Sequence, residues 1–147
     1  MKDKVLEKYY NNNNEGTTEI QIGVDEAGRG SLIGPVFAGV VVWNNDLEHK
    51  NLKYIKDSKT LTKDKRNEMR KFIEKHALAW AVAKCDHTVI DEINILNATY
   101  KAMHKALREV YDNNIKFNRI LVDGNRFKPF VTNNGFIDHK CIIKGDN

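Results

Sequence analysis

Cysteine is scarce: Cys85 and Cys141 are the only two in 147 residues, and no Cys-x-x-Cys occurs. Two thiols so far apart exclude the dense disulfide framework of a small secreted domain and fit a reduced compartment, so a cytoplasmic location is expected. Also missing is any run near the roughly 18 apolar residues that a membrane span requires. Met1-Lys2-Asp3-Lys4 leads into polar sequence with no apolar core, so neither secretion nor a membrane partner is expected. No internal repeat and no linker divides the chain. Neither sign of charge dominates, with 24 Lys and Arg against 20 Asp and Glu and a net charge of +4. That balance permits a polyanionic partner without demanding one.

What is present suits one soluble domain, which at this length hides roughly 70% of its unfolded surface. Residues 1–18, with the run Asn11 to Asn14, read as a polar, flexible lead-in, and the domain proper spans 19–147. Ile20, Ile22 and Val24 alternate with polar or small residues and predict a strand. Pro35 to Trp43 is β-branched and aromatic, a second and buried strand, and Asn44 to Lys53 reads as a loop. Thr62 caps a predicted helix to about His76, with Met69, Phe72, Ile73 and His76 on one face. Ala77 to Cys85 alternates as a strand. Thr88-Val89-Ile90-Asp91 resembles a capping box for a short helix, and Asn94 caps a longer one with an apolar stripe from Leu96 to Tyr111, read as core. Ile120 to Val122 and Phe136 to Ile143 complete the strands. A hairpin followed by helical crossovers predicts an α/β layered sheet.

The most informative stretch is Asp25-Glu26-Ala27-Gly28-Arg29-Gly30-Ser31-Leu32-Ile33-Gly34. A dinucleotide-binding turn needs Gly-x-Gly-x-x-Gly opening a helix whose N-terminus faces pyrophosphate. Here the third glycine comes one residue late, and Pro35 with a strand-like run follows it, which counts against that ligand. A hairpin needing positive φ explains the glycines but not two acids at a strand end or an arginine between glycines. The third reading is a site for a divalent cation and a phosphate backbone. Adjacent strand residues face opposite ways, so Asp25 and Glu26 can share a site only where the strand ends and twists. Hard cations such as Mg2+ take carboxylate oxygens. Asp123 stands after Ile120-Leu121-Val122 and before Gly124, again at a strand's C-terminal end, where open α/β sheets collect ligands. Taken alone it is equally an Asp-Gly turn.

Ile22 to Gly30 followed by Gly34-Pro35-Val36 resembles the opening of the ribonuclease HII family, and further blocks follow in family order. These are Asp57-Ser58-Lys59 with Leu61, Ile93-Asn94-Ile95-Leu96 with Ala98-Thr99, Val122-Asp123-Gly124, and Lys144-Gly145-Asp146. The resemblance spans Ile20 to Asp146. It implies a ribonuclease H-like mixed sheet flanked by helices, and an endonuclease that uses Mg2+ or Mn2+. The implied substrates are the RNA strand of RNA–DNA hybrids and ribonucleotides embedded in duplex DNA, cut on the 5′ side to leave a 3′-hydroxyl. It further implies that Asp25, Glu26 and Asp123 are the metal-binding catalytic acids, and that Gly28, Arg29 and Gly30 sense the ribose 2′-hydroxyl and its phosphate. Lys59 and Lys144 are implied to lie near the substrate backbone, and a monomer is expected.

The chain departs from the family pattern at Ser31, where proline is common, and at its end. Family members continue past Lys-Gly-Asp with a fourth acid and a tyrosine, whereas this sequence stops at Asn147. The alternative reading is therefore a truncated, non-catalytic binder of RNA–DNA hybrids. Another nuclease or transposase of the same fold is a third, against which the Gly28-Arg29-Gly30 context argues. Cys85-x-His87 and His139-x-Cys141 have zinc-like spacing, but the sheet order implied by the resemblance keeps their strands apart. Lys50, Lys53, Lys56, Lys59, Lys63 and Lys65 form a basic stretch, read either as a solvated face or as a phosphate-facing rim.

Overall fold

The computed structural model describes residues 19–30, 34–43, 47–55, 58–113 and 115–143. The lead-in 1–18, the lysines Lys56 and Lys144, and Asp57 lie outside them. The chain divides into two compact units, one holding residues 43–77 and the other residues 19–42 and 78–147.

The larger unit carries the sheet. Its strands are β1 (Gln21–Ala27), β2 (Val36–Val42), β3 (Ala79–Cys85), β4 (Arg119–Asp123), β5 (Phe130–Thr132) and β6 (Gly135–Ile142), in the order β3-β2-β1-β4-β6-β5. β1 is antiparallel to β2, while β4 runs parallel to both β1 and β6. The mixed α/β sheet foreseen from the sequence is therefore present. Period-2 alternation decides which side is core: Ile22 and Val24, Val36 to Val42 at every second position, Ala79, Ala81, Ile120 and Val122 are all buried. Against them packs α1 (His87–Asn113), the helix that follows β3. Ala98, Ala102 and Ala106 recur every four residues and are wholly buried, so the helix lies close to the sheet, and Met103, Leu107 and Val110 fill the space beside them. Residues of the opposite sheet face, Phe37, Trp80 and Val82, are exposed.

α1 bends sharply at Asn94, whose φ of 70° and ψ of 167° are not helical. Asn94 caps the second part as foreseen, its Oδ1 accepting from Asn97 N–H at 3.0 Å. The first part is capped two residues earlier than the Thr88 box suggested: Asp86 Oδ1 accepts from Val89 N–H at 3.2 Å. Its carboxyl is held below the usual range by the Thr88 hydroxyl and then by the Val89 N–H.

The smaller unit holds α2 (Lys63–His76), capped by Thr62 as expected, with the Thr62 hydroxyl oxygen accepting from Lys65 N–H at 3.2 Å. Met69 and Phe72 are its buried residues. Phe72 lies 4.7 Å from both the His49 and His76 rings and 5.9 Å from Trp43. Part of the segment read as a loop is a 3-10 turn, Lys50–Tyr54, capped by His49 Nδ1, which accepts from Asn51 N–H at 3.0 Å. Lys53 and Lys65 sit over the Tyr54 ring at 5.0 and 3.6 Å, so two lysines of the basic stretch are drawn onto an aromatic face.

Candidate active site

β1 and β4 pair from Gln21 opposite Arg119 to Val24 opposite Val122. The next residue on each strand is an acid, Asp25 and Asp123. Because the strands run in the same direction and in register, side chains at equivalent positions leave the sheet on the same face. The two carboxyl groups meet closely enough to share a hydrogen bond, which requires one of them to be protonated and to donate. Burial, followed by the Asp123 charge, pushes Asp25 up to about 7, with Glu26 adding repulsion and the Glu26 N–H pulling the other way. That N–H donates to Asp25 Oδ1 at 2.8 Å.

Glu26, one residue on, points differently. Its Oε1 lies 3.7 Å from Arg29 Nη1 in a partly exposed ion pair that sets direction more than stability. Glu26, Arg29, Asp123 and Arg126 line a cleft of about 270 Å³, faced by Leu96, Tyr100 and Met103 of α1. Gly28 has a φ of +92°, and a β-carbon there would stand 2.7 Å from the Pro35 carbonyl oxygen. No other residue fits the turn that delivers Arg29. Gly30 has open space around it. Gly124, at a φ of +144°, lets β4 turn away directly after Asp123 while its N–H donates to the Ile142 carbonyl at 3.0 Å.

Two carboxyl groups held this close at the ends of neighbouring strands fit a hard divalent cation, whose charge offsets theirs. Asp25 and Asp123 supply that donor pair. Among the described residues, however, no three His, Cys, Asp or Glu side chains converge closely enough to hold a metal ion, and Glu26 is paired with Arg29. Lys59 lies in a 3-10 turn of the smaller unit, Ser58–Thr60, and Lys144 lies outside the described residues. The zinc-like pair is not assembled: β3 and β6 are separated by three strands. Sequence reasoning passed over Arg126 and took Tyr100 for core. The signal for Arg126 was its place two residues after Asp123-Gly124, at the sheet edge where ligands collect. No helix among the described residues is long and apolar enough to cross a membrane.

A family model described as Ribonuclease HII matches residues 22–139. The ribonuclease HII of Cytophaga hutchinsonii is 46% identical over 128 residues, covering 87% of this chain and 59% of that protein. The chain thus spans about three fifths of the length of the curated relative it matches. Among solved structures it is similar to the ribonuclease H2 of Pyrococcus horikoshii OT3, with a TM-score of 0.56, 31% identity, and coverage of 70% of this chain and 49% of that one. It also shares the fold of Bst-RNase HIII in complex with Mn2+, with a TM-score of 0.61, 17% identity, and coverage of 87% and 46%. The matched span runs from β1 into β6 and carries both Asp25 and Asp123, and the chain belongs to the ribonuclease HII family.

Proposed function

We propose that this chain carries the catalytic centre of an endonuclease that hydrolyses the RNA strand of RNA–DNA hybrids and cuts DNA at embedded ribonucleotides. The observation that carries this reading is the meeting of Asp25 and Asp123 at the ends of two parallel strands, beside an arginine presented between glycines. Divalent cations, Mg2+ or Mn2+, would supply neutralisation of the scissile phosphate and activation of the attacking water. Asp25 and Asp123 would hold them. Glu26 would join that set by releasing Arg29, whose guanidinium then passes to a substrate phosphate. The open space at Gly30, beyond the tight turn that Gly28 makes against Pro35, would let a strand approach closely enough for main-chain groups of this segment to read the 2′-hydroxyl that separates RNA from DNA.

The test is cleavage of duplex DNA containing one ribonucleotide in the presence of Mg2+ or Mn2+. Asp25→Asn should abolish product, a loss of at least about a thousandfold on the scale of removing one major electrostatic contributor, while leaving hybrid binding largely intact. Near-normal turnover by that variant would remove Asp25 from the chemistry. A second reading, a binder of hybrids without cleavage, is favoured by one observation: Glu26 faces Arg29 rather than completing a three-acid cluster. Binding by the unsubstituted chain with no product under either metal would select it.

A further inference from the structure

The loops after β1 and β4 leave the sheet at the same end, because the two strands are parallel. The first presents Arg29 and the second presents Arg126, and both line the cleft beside the carboxylate pair. The two arginines differ in their engagement. Arg29 is held by Glu26 at 3.7 Å, whereas Arg126 is exposed and makes no hydrogen bond, ion pair or ring contact among the described residues. The facing wall of Leu96, Tyr100 and Met103 carries no charge that could hold it. A cleft containing Glu26 and Asp123 repels a polyanion, and an uncommitted guanidinium at its margin offsets that repulsion. Guanidinium groups take phosphates through two parallel hydrogen bonds, and the apolar wall opposite suits the face of a sugar or base.

We propose that Arg126 is a positioning residue that grips a backbone phosphate of the substrate strand next to the one cleaved, on the β4 side of the cleft. The proposal rests on the nuclease reading given above and deepens it. It makes the site a two-arginine clamp, with one arm released from Glu26 and the other without a partner among the described residues.

The test is binding of an RNA–DNA hybrid without divalent cations, across a salt series, by the unsubstituted chain and by Arg126→Gln, Arg126→Lys and Lys71→Gln. Lys71 is exposed on α2 and is a charge-matched control. Arg126→Gln should weaken binding roughly threefold to tenfold at low salt and make the log–log salt dependence shallower by about 1, the signature of one lost phosphate contact. Arg126→Lys should recover the slope but only part of the affinity, since an ammonium cannot make the paired contact. An unchanged slope in Arg126→Gln, or an equal change in Lys71→Gln, overturns the inference while leaving the nuclease reading standing. Failure of the unsubstituted chain to bind hybrid at all overturns both.

Discussion

At Asp25 the fold holds a carboxyl where it does not ionise easily. Its ordinary value of 3.8 rises to about 7, because of burial first and Asp123 second. A folded value above the unfolded one means that this group favours folding below about pH 4, and that the contribution drains away as pH rises through 7. The metal-free protein should therefore lose melting temperature between pH 4 and pH 8, and Asp123→Asn should flatten that slope. Because Asp25 stays solvent-accessible at the strand end, solvent screening limits the effect at pH 8 to roughly 1 kcal/mol, or about 2–4 °C for a chain of this size. Melting curves in chelator at several pH values check it, and a steeper decline in the variant would contradict it. The identity of both acids was legible because each ends an apolar run. The direction of Glu26 was not, since alternation along a strand is a rule about the interior and Glu26 lies where β1 has already left β4.

Among the elements, α1 shows how one residue can serve architecture and site together. Asn94 accepts the Asn97 N–H while holding a positive φ, and the turn after it sets Leu96 and Tyr100 along the cleft. Asn94→Ala should cost about 2 kcal/mol, the sum of a lost cap and a strained left-handed backbone. Asn94→Gly should cost only a few tenths, because glycine loses the cap contact but relieves the strain. Chemical denaturation of the two variants separates these terms, and equal losses would show that the backbone angle carries no strain. The sequence stripe from Leu96 to Tyr111 marked the helix correctly. It could not show that its first turn overhangs a cleft, because periodicity reports a face and not what lies across from it. β5 escaped notice since three residues hold no period, although Asn133-Asn134-Gly135 is the hairpin signal that creates it: Thr132 Oγ1 accepts from Asn134 N–H at 3.1 Å, and Gly135 has a φ of +103°.

For the molecule as a whole, the larger unit rests on strands with unequal support. β1 and β4 are paired on both edges, whereas β3 and β5 stand at the ends of the sheet, and β6 pairs with β5 only from Gly135 to Ile137. Amide hydrogen exchange should accordingly be slowest in Ile22–Val24 and Ile120–Val122 and fastest in β5 and the outer edge of β6. Equal protection across all six strands would mean that the sheet opens only as one body. The alternating sequence made the core face readable, while the order of the strands was not legible in the residues, since pairing between distant segments leaves no local trace. The shared heading of β1 and β4 has one more consequence. Their acids meet by parity: each is the odd residue after an even, buried one. Insertion or deletion of a single residue in β4 ahead of Asp123 would turn that carboxylate into the packed layer and present a neutral neighbour to Asp25. The chemistry of the centre is thus written in the counting of two strands as much as in the residues themselves.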